Sequence, residues 1–425
     1  MSSSRALRRA PSFASVSAIG SIRPGRAELN RLVAETAHML AARGLIHLTA
    51  EGSASDGRHL RLRGRQLVNF GSCSYLGLEV DERLKQGACE AIQRYGVQFS
   101  SSRAYVSTPL YAEFEELLEK IFGSPVVVTQ TTSLGHLAAL PVIVGEGDAV
   151  LYDVLVHASV QAVLPTLRAA GVPCQQLPHN RVDRLHETLT ELSTRHDKIW
   201  YLCDGIYSMH GDRAPLAELL ALQARHPKLH LYVDDAHGMS WTGQRGVGTV
   251  LGGNGIPPRT VVALGLSKAF AAAGAAFVFA DDELRRQVRS CGSTLIFSGP
   301  LQPGQLGAGI ASAKLHLSEE LPARQSLLRQ RIQLFNELSL DSGLRIRDTS
   351  ESPVRFIEVG AEEDALERGS ALADAGFFTN LSVFPAVPRR RAGIRVMLTT
   401  HHTEEDVVRL VQALASGVQR ISHIR

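Results

Sequence analysis

This 425-residue sequence predicts an α/β architecture: a mostly parallel sheet with helices on both faces, then a smaller α+β region. Three observations predict it. Short, continuously apolar runs recur between about residues 71 and 300: "VVVT" (126–129), "AVLYD" (149–153), "IWYLCD" (199–204), "LHLYVDD" (229–235) and "VVALGL" (261–266). They lack the strict alternation of a strand with one wet face, so they suit strands covered on both sides. Helix-length segments separate them, as strand–helix–strand crossovers require. Finally, "FSGPLQPG" (297–304) punctuates the chain, and a different mixed pattern follows it.

From the N-terminus, residues 1–27 hold five arginines, several serines and no acid. That reads as a weakly basic tail, with an organelle transit segment as the alternative. "AELNRLVAETAHMLAARG" (27–44) has helical periodicity and stops at Gly44, a residue suited to helix ends. "HLRLRGRQLVNF" (59–70) reads as short β pieces around a turn. After the apolar runs a long polar helix is expected over roughly 305–338, leading into the smaller region. The expected division is an N-terminal arm over 1–68, a large domain over 69–304 and a C-terminal domain over 305–425.

Composition bounds the function. With 44% hydrophobic and 20% charged residues the chain is an ordinary soluble type, and a net charge of +3 argues for neither nucleic acid nor an anionic membrane. Five scattered cysteines fit no zinc or disulfide spacing, and no apolar signal core is seen, so a reducing, cytoplasmic location and no metal are expected. "VVALGLSKAFAAAGAAFVFA" (261–280) is the greasiest stretch, broken by Ser267 and Lys268. A membrane helix would bear roughly 2.5–3.5 kcal/mol for a mid-bilayer lysine. The run is also rich in Ala and Gly and has no counterpart elsewhere, so no stable membrane span is expected. Two readings remain: a core segment whose lysine snorkels outward, or a desolvated amine that attacks a carbonyl.

Ligands of open α/β sheets gather beyond the carboxyl ends of the strands. There "LYVDDAHG" places Asp234, Asp235 and His237, and "WYLCDGIYSMHGD" places Asp204, Ser208, His210 and Asp212. "VALGLSKAF" ends with Ser267 and Lys268, and "VTQTTSLGH" offers Thr132 and Ser133 where a helix begins, a place suited to phosphate. A carboxylate, an imidazole, a lysine and a phosphate cradle together describe a pyridoxal 5'-phosphate site. Each piece has a plainer reading. A strand-end Asp commonly caps a helix, the hydroxyls of "TQTTS" can do the same, and His157 of "VLVHAS" can be a hydrogen-bonded helix-start residue.

In order, "NFGSCSYLGLE", "SRAYVSTPLYAEFEELLEKIFG", "DVLVHAS", "PHN", "DGIYSMHGDRAPL", "VDDAHG", "LSKA" and "GIRVMLTTHHT" span roughly residues 66–415. This series resembles the α-oxoamine synthases, fold-type-I pyridoxal phosphate enzymes with a seven-stranded, mostly parallel sheet. The resemblance implies that Lys268 holds the cofactor as a Schiff base, that Asp234 faces the pyridine nitrogen, and that His237 and Ser208 face the ring hydroxyl. It implies His157 against the ring face, Thr132 and Ser133 on the phosphate with Ser267 nearby, and Ser298 reaching the phosphate of a neighbouring subunit. Arg395 matches the arginine that grips an amino-acid carboxylate, and Cys73 and Ser74 fall in the substrate region. A homodimer with a shared active site is implied, and so is decarboxylative condensation of an amino acid with acyl-CoA, or with an acyl group on a carrier.

The sequence departs from that pattern in places. "SG(F/Y)xAN" is replaced by Thr131, Thr132, Ser133, Leu134, Gly135 and His136; "FSSSR" stands for a glycine-rich loop, with Ser107 for a glycine after it; and "AFAAAGAA" replaces most glycines after the lysine. Arg389, Arg390 and Arg391 read as a solvated turn, or as a contact for a coenzyme A phosphate. Other expectations stay open: an aminotransferase, an aldol-type enzyme, or a catalytically silent partner subunit.

Overall fold

The computed structural model describes residues 25–52, 54–252 and 255–422. The basic segment 1–24 therefore lies outside the described residues. In chain order the elements are α1 (Arg26–Ala42), β1 (His59–Leu62), β2 (Arg65–Asn69), α2 (Glu82–Tyr95), α3 (Pro109–Phe122), β3 (Val126–Thr129), α4 (Thr132–Ile143), β4 (Ala149–Asp153), α5 (Ala158–Gln161), α6 (Leu164–Ala169) and β5 (Cys174–Leu177). There follow α7 (Val182–Leu192), β6 (Ile199–Asp204), α8 (Leu216–Arg225), β7 (Leu229–Asp234), β8 (Thr260–Gly265), β9 (Ala275–Phe279), α9 (Asp282–Cys291), α10 (Ser293–Phe297) and α11 (Pro303–His316). The chain ends with α12 (Leu321–Asp341), β10 (Val354–Gly360), α13 (Glu362–Asp374), β11 (Phe377–Phe378), β12 (Asn380–Ser382), β13 (Ala392–Met397) and α14 (Glu404–Ser422).

Seven strands form one sheet in the order β3-β9-β8-β7-β6-β4-β5. β5, β4, β6, β7 and β8 pair in parallel, and β9 runs antiparallel to both of its neighbours. The continuous hydrophobicity of the strands has a direct cause. Alternate residues feed two cores on opposite faces: Leu231 and Val233 join one, Tyr232 the other, and Tyr201 is split in the same way from Trp200 and Leu202. Residues 261–280 are thus not a helix. They are β8, a turn and β9, an antiparallel pair with both strands fully buried. No described helix is long and apolar enough to cross a membrane.

Two strands of the seven-stranded sheet escaped the sequence reading. β5 is "CQQL" at the sheet edge, half polar because one flank is open to water, and β9 lay hidden in the alanine-rich run. The long polar helix over 305–338 is corrected to two helices, α11 and α12, with the break at residues 317–320. Pro322 in the first turn of α12 has no N–H to continue a helix from α11. Nor is α11 polar, since Leu306, Ile310, Ala313 and Leu315 are buried. It crosses α2 glycine to glycine: a Cβ at Gly307 would lie 2.1 Å from the Gly87 carbonyl oxygen, and one at Gly87 2.7 Å from that of Gly307.

A second sheet, β10-β13-β12, is antiparallel, and its Ile394, Val396 and Met397 share a core with α12 and α14. The hairpin β1–β2 is joined to this part of the chain, because β11 pairs in parallel with β2. α1 ends just before Gly44, whose φ of +69° is the left-handed conformation that glycine adopts freely.

Candidate active site

The carboxyl ends of β6, β7 and β8 lie side by side, with Asp204 in register with Asp234. Two buried carboxyls on adjacent strand tips cannot both ionise cheaply, and their surroundings push them apart. Burial followed by the charge of Asp234 raises Asp204 well above the carboxylate range. Burial works to raise Asp234 too, but the hydrogen bond and charge of His136, and then Lys268, hold it below that range. Asp234 is therefore the ionised member. Its Oδ2 meets His136 Nε2 at 3.1 Å, and its Oδ1 accepts the Ala236 N–H at 3.1 Å. Asp204 Oδ1 accepts the His157 N–H at 2.9 Å, fixing the start of α5.

His157 is the helix-start residue of the plainer reading: its Nδ1 lies 2.7 Å from Ser159 Oγ and accepts the Ser159 N–H. The residue is exposed. His237 is buried, with Nδ1 2.7 Å from the Tyr75 hydroxyl and its carbonyl accepting Trp241 Nε1–H at 2.6 Å. Burial, then Lys268 and Arg395, press it well below the ordinary imidazole range, so it is neutral.

Lys268 follows the end of β8 by three residues, in a turn closed by Ala271 N–H to Lys268 O at 2.9 Å and Leu266 N–H to Gly274 O at 3.0 Å. It is half-buried, not sealed in apolar surroundings as the composition of its stretch suggested, because the turn lifts it clear of both strands. Its charge reaches Asp204, Asp234, His157 and His237. Ser267 beside it is exposed.

At the start of α4 the Thr131 hydroxyl takes the capping role, accepting the Leu134 N–H at 3.1 Å. Thr132 is left half-buried and Ser133 exposed at the same helix start. Ser208 is half-buried in the turn closed by the Ile206–Arg213 bridge. Arg395 on β13 stands opposite Phe356 and Asn380, near enough to His237 and Tyr75 to act on both, and its buried Nε has no hydrogen-bond partner. Cys73 and Ser74 are half-buried before Tyr75, and the Cys73 thiol bears on the Tyr75 hydroxyl. Ser298 Oγ donates to Thr294 O and sits 3.0 Å from Oε1 of Gln130, the residue that follows β3.

Two groups beyond the expected set complete the site. His136 and Tyr232 support Asp234; the available signal was that His136 falls four residues after Thr132, on the same helical face. His179 of "PHN" bridges two carboxylates, with Nδ1 3.0 Å from Asp153 Oδ1 and Nε2 2.6 Å from Asp212 Oδ2. Burial would lower it, but these two bonds prevail and push it up to about 9. It ties the end of β4 to the turn that carries Ser208. His210, in that same turn, packs edge-on against Phe356.

Comparison with known proteins fits this geometry. Residues 65–414 match the family described as aminotransferase class I and II. The chain is 32% identical to the 8-amino-7-oxononanoate synthase of Maricaulis maris over 405 residues, 92% of this chain and 97% of that one. It is also 32% identical to the enzyme of that name from Symbiobacterium thermophilum, over 83% of this chain and 88% of the other. Among solved structures, serine palmitoyltransferase from S. paucimobilis with a bound PLP–myriocin aldimine superposes with a TM-score of 0.84 at 22% identity, covering 94% of this chain and 100% of that one. An 8-amino-7-oxononanoate synthase from Francisella tularensis gives 0.71 at 19%, covering 84% and 99%.

Proposed function

Since the chain belongs to the aminotransferase class I and II family, and within it to the α-oxoamine synthases, we infer that it is a pyridoxal 5'-phosphate-dependent acyltransferase. It joins an amino acid to an acyl thioester with loss of carbon dioxide and gives an α-aminoketone. One observation carries the reading: an ionised Asp234, a neutral His237 and Lys268 share the tips of adjoining strands, near the unpaired Nε of Arg395. A buried carboxylate calls for a cationic N–H, and an orphaned guanidinium N–H calls for a carboxylate. A protonated pyridine and an amino acid supply both, so the residues fit the cofactor.

When bound, pyridoxal phosphate supplies an aldehyde for the lysine amine and a protonated ring that draws electrons from the substrate α-carbon. Asp234 keeps that ring protonated. Thr132, Ser133 and the first N–H groups of α4 receive the phosphate, with Ser267 beside them. His157 would pack on the cofactor ring, and His237 and Ser208 would hydrogen-bond its hydroxyl. Arg395 holds the substrate carboxylate, in the region where Cys73 and Ser74 line the approach. The Lys268 amine would take the α-proton of the bound amino acid. The α-carbon then bonds to the acyl carbonyl, the thiol leaves, the carboxylate departs as carbon dioxide, and Lys268 returns the proton.

An exposed apolar face supports a homodimer with a shared site. Val97, Tyr105 and Phe297 are 74%, 89% and 85% exposed, on segments joined by Ser102 Oγ–H to Ile296 O. An apolar face next to Ser298 suits a second copy of the chain, through which Ser298 reaches the other subunit's phosphate. Five unpaired cysteines support a cytoplasmic location, and the Pro/Gly punctuation at 297–304 supports a division of the chain near residue 304.

The test is the visible spectrum of the purified protein, followed while single amino acids and an acyl thioester are added. A yellow band absent in Lys268→Ala, followed by release of free thiol and carbon dioxide, is expected. A cofactor-loaded protein that turns over amino acids without releasing thiol would overturn the acyl transfer in favour of an aminotransferase or aldol-type enzyme. A protein that never colours would leave the silent partner.

A further inference from the structure

His136 is fully buried one turn into α4, where a histidine needs partners for both ring nitrogens. It has both. Nε2 lies 3.1 Å from Asp234 Oδ2, and Nδ1 lies 2.7 Å from the Tyr232 hydroxyl. Tyr232 and Asp234 are two apart on β7 and so share the sheet face that α4 covers. The ring stands edge-on to Phe277, with centroids 5.6 Å apart at 75°. Phe277 in turn occupies room that only glycine leaves, since a Cβ at Gly135 would sit 2.0 Å from its Cε2. Gly135 and His136 are thus a matched pair, in the slot where the resembled pattern has Ala-Asn.

Proton placement follows from the neighbours. An ionised Asp234 only accepts, so Nε2 carries the hydrogen. Nδ1 faces the hydroxyl of Tyr232, which burial keeps protonated. Tyr232, His136 and Asp234 thus form one hydrogen-bonded chain, while Ala236 N–H pins the other carboxylate oxygen. We propose that His136, backed by Tyr232, is a positioning residue that fixes the orientation and ionisation of Asp234, and thereby sets how firmly the cofactor's ring nitrogen holds its proton. The proposal rests on the pyridoxal phosphate reading above.

The experiment uses the cofactor-loaded enzyme with pyridoxal phosphate labelled with ¹⁵N in the ring, comparing wild type, His136→Phe, His136→Gln and Tyr232→Phe. The ring-nitrogen shift reports its protonation directly. In His136→Phe it moves toward the neutral value, and kcat falls about 10- to 100-fold, the loss expected for one hydrogen bond to a charged group. KM for the amino acid stays within about twofold, because Arg395 is untouched. His136→Gln, which keeps an N–H within reach of Oδ2, restores most of the shift and rate. Tyr232→Phe moves both in the same direction by less, and serves if His136→Phe does not fold. A bound cofactor whose ring-nitrogen shift is the same in all four proteins overturns the proposal and leaves the cofactor reading intact. Failure of wild type to bind the labelled cofactor overturns the reading itself.

Discussion

Replacing His179 with asparagine tests how much of the fold around the site is held by charge. Its imidazolium lies between Asp153 and Asp212 and packs edge-on against Tyr207 at 4.4 Å. The shift from 6.5 to about 9 corresponds to about 3 kcal/mol at 1.36 kcal/mol per unit. The folded value lies above the unfolded one, so this contribution is complete below pH 6.5 and is lost as pH rises through 9. Urea unfolding of both proteins between pH 6 and 10, read by the fluorescence of the buried Trp200 and Trp241, measures it. The stability gap between wild type and His179→Asn should shrink by about 3 kcal/mol across that range, nearly all of it above pH 6.5. A gap that stays constant from pH 6 to 10 would refute the reasoning, because the asparagine has no proton to lose.

Further outcomes are expected elsewhere. Ala271 has a φ of +58° in the turn after Lys268, so Ala271→Gly should stabilise the protein by about 1 kcal/mol in thermal unfolding. Gly307→Ala drives a methyl into the Gly87 carbonyl and should cost about 1–3 kcal/mol by urea midpoint, the range for overpacking. Arg395→Ala should raise the amino-acid KM about 10- to 100-fold, the loss of one charged pairing, while cofactor absorbance is kept. Phe297→Asp, on the exposed apolar face, should shift the particle toward monomer in sedimentation; an unchanged sedimentation coefficient would argue against that interface.

Strand positions were legible because burial on both faces writes itself as continuous hydrophobicity, as in "IWYLCD" and "VVALGL". What escaped had weaker signatures. β5 is polar because it is an edge, β9 shares an apolar run with β8, and the break between α11 and α12 turns on Pro322. At the site, Asp234, His237 and Lys268 were legible from their place after strands. His136 was not, because a histidine four residues into an apolar helix looks like any core residue until β7 is laid beside it. The split between Asp204 and Asp234 was equally hidden, since it depends on register between strands about thirty residues apart.

Asp235, the neighbour of the ionised carboxylate, faces away into the fold, where burial pushes it up to about 7 and Thr249 supplies its bonds. Gly205, Gly238 and Gly248 crowd it so closely that a Cβ on any of them would come within 2.1–2.4 Å of its carboxyl oxygens. Four positions spread over more than forty residues are therefore one unit of inheritance. A lineage can exchange the glycine at 238 only together with a smaller residue at 235, and the one at 205 only if Thr249 also gives way, while at 248 the φ of +92° bars the exchange on its own. Suppressors of Gly238→Ala should accordingly arise first at Asp235.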